Sequence, residues 1–152
     1  MSRTESEEFV IGCVSLLSNK LNQIGDSILP DITFRQWFLL MMISKMELQE
    51  KSINSIAEFT GTTRQNVKKM LIPLENKGYV NIGKSNSDAR ALKVELTEKT
   101  YQYFSDNDEA TARASNKLFS SFSDAEIYNL VCTLKKLLCC FETYGKGREN
   151  NE

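Results

Sequence analysis

A chain of 152 residues with 41% apolar side chains, 7 Gly and 2 Pro can bury a core and has too few chain breakers for a disordered protein, so a helix-rich globular chain is expected. It contains no histidine, its cysteines (Cys13, Cys132, Cys139, Cys140) form no C-x-x-C pair, and it has no glycine-rich phosphate loop. Zinc sites, His-assisted nucleophiles and nucleotide-loop chemistry therefore lack their usual residues, and the expectation is a non-enzyme needing neither metal nor cofactor.

The acidic opening MSRTESEEF has no signal-type apolar region and no run approaches membrane-spanning length, so a cytoplasmic protein with no membrane partner is expected. Net charge is -1, but it is segregated. Between positions 51 and 93 lie Lys51, Arg64, Lys68, Lys69, Lys77, Lys84, Arg90 and Lys93 against Glu58, Glu75 and Asp88. Such a basic segment on an acidic body suits a polyanion-binding face, although ordinary surface charge gives the same pattern.

In chain order, Val10, Val14, Leu17, Leu21, Ile24 and Ile28 form one stripe of a long first helix ending near Pro30. Its near-heptad spacing fits packing against other long helices, including those of a second chain. Thr33-Phe-Arg-Gln36 is a capping box, and Ile32 and Trp37 are placed as its hydrophobic staple. The helix that follows, WFLLMMISKM, is apolar nearly all round and reads as a buried central helix. Trp37 either packs at its start or lines a pocket.

Ser52 is placed to cap a short third helix with Ile53, Ile56, Ala57 and Phe59 as apolar positions, and Gly61 to end it as a left-handed residue. Thr63 then caps a fourth helix after a three-residue turn. Val67, Met70, Leu71 and Leu74 share one face of it, and at about 100° per residue Gln65 and Lys69 point away from that face. Pro73 removes an internal hydrogen bond, and Gly78 ends the helix. Val80 and Ile82, then Leu92, Val94 and Leu96, alternate as two short strands around the polar loop GKSNSDAR. Thr97 opens a fifth helix. Ser123-Asp-Ala-Glu126 is a second capping box with Phe122 and Ile127 as staple, and a sixth helix carries Leu130, Leu134, Leu137 and Phe141 until Gly145.

Helix, tight turn, helix and hairpin in this order suit a winged helix-turn-helix reading double-stranded DNA. Thr62, Thr63 and the helix start can donate to phosphate. Arg64, Gln65, Asn66, Lys68 and Lys69 are the residue types that pair with base edges in the major groove. Lys84 and Arg90 can reach the backbone or a narrow minor groove, with Asp88 orienting Arg90. Alone, the helix face could be merely solvated and the loop a plain hairpin; joined in order they favour DNA.

The patterns A-x-x-x-G-T-T-R-x-x-V-x-x-x-L-x-x-L-x-x-K-G-Y-V at Ala57–Val80 and D-x-R-A-L-x-V-x-L-T-E-K at Asp88–Lys99 resemble the MarR family of winged-helix regulators, and Ile32–Trp37 resembles the start of that family's second helix. The resemblance implies a mainly α fold with a small β-wing: a DNA-binding lobe over 32–97 and a helical dimerisation lobe over 6–30 and 98–145. It also implies a homodimer, through helices bearing Val10, Val14, Leu130, Leu134, Leu137 and Phe141, on a pseudo-palindromic operator. Members of the family usually repress transcription and are released by a small, often aromatic, effector or by cysteine oxidation. Their pocket, where helices one, two and five meet, would here involve Leu17, Trp37 and Met41. The chain departs from the pattern at Ala89, where a second arginine is common, at Thr100, where glycine is, and at Pro73. Cys13 lacks the partner tyrosines of peroxide sensors. Two other readings stay open: a winged-helix protein-interaction or architectural module, and a cysteine-based redox regulator.

Overall fold

The computed structural model describes residues 1–84 and 92–149. Among them are six helices and one two-stranded antiparallel sheet: α1 (Arg3–Ile28), α2 (Phe34–Lys45), α3 (Ile53–Thr60), α4 (Arg64–Asn76), β1 (Val80–Lys84), β2 (Leu92–Leu96), α5 (Glu98–Phe119) and α6 (Asp124–Glu149). The fold class expected from the sequence is the one observed. None of these helices is long and apolar enough to cross a membrane, and no cluster of metal-ligating side chains occurs among the described residues.

The chain divides into compact units Met1–Thr111 and Ala112–Glu152. In the first, the core gathers Leu39, Leu40 and Ile43 of α2, Ile56 of α3, Val67, Leu71 and Leu74 of α4, and Val80 and Val94 of the hairpin. Each such side chain, fully buried, contributes about 1.5–3 kcal/mol. Two expectations need correction. Phe59 on α3 is 48% exposed, because α3 is only eight residues long and its buried face is filled by Ile53, Ile56 and Ala57. Helix α2 buries only Leu39, Leu40 and Ile43 within the chain, so its apolar circumference is not all core.

Strand pairing sets Val80 opposite Leu96, Ile82 opposite Val94 and Lys84 opposite Leu92. Alternation turns Val80 and Val94 inward. Ser52 forms an isolated bridge with Lys93, and the Val94 N–H donates to the Lys51 carbonyl at 2.7 Å, so the sheet edge extends to the segment before α3.

Helix starts follow the sequence closely. The Thr33 amide donates to Gln36 Oε1 at 3.0 Å and the Gln36 amide to Thr33 Oγ1 at 3.2 Å. A second cap comes from α1: Asp26 Oδ1 accepts from the Phe34 amide at 2.6 Å. Nearby, Gly25 is buried where α1 and α2 meet, and a Cβ added there would lie 2.1 Å from a Phe34 ring atom. Ser2 and Glu5 form a further capping box for α1, an S-x-x-E signature present in the sequence.

In the second unit, the Ser123 amide donates to Glu126 Oε2 at 2.8 Å and the Glu126 amide to Ser123 Oγ at 3.4 Å, completing the capping box of α6. These bonds to Ser123 hold the Glu126 carboxyl below its ordinary range. Gly145 does not stop α6, which runs on to Glu149. Glycine weakens a helix by about 1 kcal/mol but ends it only where the chain turns left-handed.

Candidate nucleic-acid interface

The corner between α3 and α4 is fixed by backbone chemistry. Gly61 adopts φ 65°, and the amides of Gly61 and Thr62 donate to the carbonyls of Glu58 and Ala57 at 3.2 and 3.0 Å. This paired closure of the last turn is what a left-handed glycine permits. Two residues later the Thr63 hydroxyl accepts from the Asn66 amide at 3.2 Å, starting α4. At its far end, Gly78 at φ 78° repeats the closure: the amides of Gly78 and Tyr79 donate to the carbonyls of Glu75 and Leu74 at 2.8 and 2.9 Å.

Between these ends α4 buries Val67, Leu71 and Leu74, with Met70 packed at the core margin. Arg64, Gln65, Asn66, Lys68 and Lys69 are exposed, as is Thr63; Thr62 is half-buried. The structure thus brings seven of the ten DNA-contact candidates onto one turn and one helix face. Asn66 is further held along the turn, its Nδ2 donating to Thr62 Oγ1 at 3.3 Å. Lys84 is exposed at the end of β1, while Asp88 and Arg90 lie outside the described residues. Among the described residues, no carboxylate forms an ion pair with Arg64, Lys68 or Lys69, whereas Lys77 and Lys93 pair with Asp31 and Glu95, each at 3.1 Å.

Bordering this face, and lined in part by its Asn66 and Lys69, is a cleft of about 880 Å³. Trp37 and Met41 of α2 line it together with Phe34 and Phe38, and α4 contributes Asn66, Lys69 and Met70. Phe34 and Trp37 stack with ring centroids 5.4 Å apart. Arg35 also lines the cleft, its Nε donating to Asn22 Oδ1 at 3.3 Å. No carboxylate is among the lining residues. Leu17 is 61% exposed on α1 and is not one of them. The lining comes from α1, α2, the end of α3 and α4, not from α5 as the resemblance implied. Arg35, Phe34 and Asn22 carried no sequence signal beyond membership of their helices.

Of the residues assigned to dimerisation, Val10, Val14, Leu130, Leu134 and Phe141 are 45, 42, 41, 43 and 57% exposed, and Leu137 is half-buried. The four cysteines are free thiols, Cys13 half-buried and the others exposed.

No family model matches the chain. A relative from Bacillus subtilis, the uncharacterized HTH-type transcriptional regulator YfiV, is 28% identical over 104 residues, which are 68% of this chain and 64% of that protein. This chain therefore matches less than two thirds of that relative's length. A MarR/EmrR family transcriptional regulator from Acinetobacter sp. ADP1 superposes with a TM-score of 0.77 at 21% identity, covering 90% of this chain and 97% of its own. The S. aureus MepR–DNA complex superposes at 0.72 with 21% identity, covering 85% and 94%. The likeness first carried by Ala57–Val80 and Asp88–Lys99 thus extends to nearly the whole chain, whose fold is the winged-helix fold of these MarR-family structures.

Proposed function

We propose that the chain is a sequence-specific double-stranded DNA-binding transcriptional regulator, acting in the cytoplasm as a homodimer on a pseudo-palindromic operator and repressing transcription. The observation that carries this reading is α4 itself. Its core face is fully buried, and both its ends are closed by left-handed glycine turns or a threonine cap. Its outer face presents Arg64, Gln65, Lys68 and Lys69 as an exposed row. A helix so anchored enters a major groove without losing further backbone freedom, and its side chains are those that pair with guanine and adenine edges.

The cleft supports a small aromatic effector. Stacked rings on α2 offer an apolar wall, and Arg35 and Lys69 supply positive charge without a competing carboxylate, a lining suited to a planar acid. An occupant there would touch α4 directly and so favour one placement of the recognition helix over another.

Fluorescence anisotropy of labelled DNA from upstream of the chain's own gene tests the reading. Saturable binding that prefers that sequence over scrambled DNA at moderate salt, and weakens steeply as salt rises, is expected. Binding without sequence preference would replace the regulator by an architectural protein, and no binding at all would leave a protein-interaction module.

A further inference from the structure

Where α1 hands over to α2, Asp31 stands at φ 68°, the only non-glycine residue with positive φ among those described. Aspartate tolerates this region better than most side chains, but an ordered turn there still needs something to hold it. Its carboxylate is gripped from the end of the recognition helix. Tyr79 Oη donates to Oδ2 at 2.7 Å and Lys77 Nζ to Oδ1 at 3.1 Å, with a further bond from Lys77 Nζ to the Asp31 carbonyl. The bond from Tyr79, then that from Lys77, lowers the Asp31 pKa below its ordinary value.

The same junction ties in α5. Lys99 Nζ donates to the Lys77 carbonyl at 2.7 Å and lies 4.5 Å above the Tyr79 ring, placing a cation at the negative end of α4. Thr97 Oγ1, at the position before α5, donates to the Gly78 carbonyl at 2.7 Å, and the buried Thr100 hydroxyl donates to the Tyr79 carbonyl. Tyr103 packs edge-on against Tyr79 at 5.3 Å and donates to the Pro30 carbonyl. Two segments distant in sequence, the α1–α2 turn and the start of α5, therefore meet on Lys77–Tyr79, where the chain leaves α4.

We propose that Asp31 is a positioning residue: its carboxylate, bridging Lys77 and Tyr79, sets the angle of the recognition helix against α1 and α5. The side chains of Asp31 and Lys77 are 47% and 41% exposed, so water screens the pair and it adds little to global stability. Its effect is instead geometric, because the pair acts at the end of the element it orients. For DNA binding, an inference that rests on the regulator reading above, the junction transmits the arrangement of the paired long helices to the two reading heads.

Two variants separate the parts. Asp31→Gly removes the carboxylate while keeping a residue at ease at φ 68°, and Lys77→Met removes the other charge. Spin labels at Lys68→Cys on α4 and Gln102→Cys on α5 are placed in a chain whose native cysteines are serines, mixed with excess unlabelled chain. Their distance distribution reports the angle without any DNA. A narrow distribution that broadens or shifts in both variants, with melting nearly unchanged, is expected; an unaltered distribution in either overturns the proposal. A parallel titration compares a full operator with a single half-site. The variants should lose about tenfold on the full operator and less than about twofold on the half-site. Equal losses on both would make Asp31 a structural residue only. Failure of the wild-type chain to prefer any operator would instead defeat the regulator reading and leave the label result standing.

Discussion

Helices α4 and α1 carry apolar stripes of comparable regularity, yet the chain treats them in opposite ways. Val67, Leu71 and Leu74 of α4 are fully buried, whereas Val10, Val14 and Leu21 of α1 remain 45, 42 and 43% exposed. Helix α6 behaves like α1, with no buried residue among those described. A stripe in the sequence says only that something must cover it. On α4 the cover comes from α2, α3 and the hairpin; on α1 and on α6, each taken by itself, the stripe stays 41–45% exposed at Val10, Val14, Leu130 and Leu134. Contiguous exposed apolar surface of this kind marks an interaction face, and a second copy is the partner we propose for both helices.

Breaking this contrast gives the largest expected effect. In the proposed homodimer, Val14→Lys combined with Leu134→Lys would place four charges in the two-fold interface, each replacing a side chain whose burial would be worth about 1.5–3 kcal/mol. Sedimentation velocity should show the dimer weakened by at least about a hundredfold, with helical content preserved because neither residue is buried within the chain. Unchanged sedimentation would mean that these faces meet something other than a second copy.

The exposed row on α4 gives the next effect. Lys69→Ala and Gln65→Ala change exposed side chains on a helix whose buried face is untouched, so stability should hold within about 0.5 kcal/mol. Operator affinity should fall by about 1–3 kcal/mol for Gln65→Ala, with relaxed preference at one base pair. Lys69→Ala should also lower the salt dependence by about one counterion if the side chain meets phosphate. Anisotropy titrations on permuted operators at several salt concentrations measure both.

What the sequence made legible divides along physical lines. Caps, left-handed glycines and stripes are local, and Thr33, Ser52, Gly61, Thr63, Gly78 and Ser123 all stand where those patterns placed them. The exposed row on α4 followed from periodicity for the same reason. The contacts that join distant segments were not legible. Asp26 capping α2 from α1, Asp31 meeting Lys77 and Tyr79 some 46 and 48 positions on, and Arg35 turning into the cleft depend on how helices pack, which no window of neighbouring residues encodes. Phe59 shows the reverse error. Its hydrophobicity suggested burial, but a short helix has room for few inward positions.

Gly25 is the sharpest of these hidden contacts. Its missing side chain lets Phe34 sit against α1, and the Phe34 amide bonds Asp26 one residue away. Gly25→Ala relieves glycine's entropy cost in a helix, about 1 kcal/mol, but forces a methyl to within 2.1 Å of the ring. Overpacking of this kind costs about 1–3 kcal/mol and should prevail. Urea unfolding should show a lower midpoint with an unchanged slope, and an increase in stability would mean that Phe34 moves aside freely.

The smallest effect concerns pH and the junction at the end of α4. Because the folded Asp31 carboxyl has a lowered pKa, the unfolded chain binds its proton more readily. Its contribution to stability is therefore complete above the ordinary aspartate value of about 3.9 and disappears as pH falls through the lower folded value. Asp31→Asn retains an acceptor for Tyr79 and a side chain tolerant of positive φ, so near pH 7 its melting temperature should lie only slightly below wild type, by the contribution of the ionised carboxyl. On acidification below about pH 4 the wild-type curve should fall more steeply than the variant's, the two converging as the carboxyl titrates. Parallel curves across that range would show that Tyr79 and Lys77 do not favour the ionised carboxyl, and the contrast between this junction and an ordinary surface aspartate would be lost.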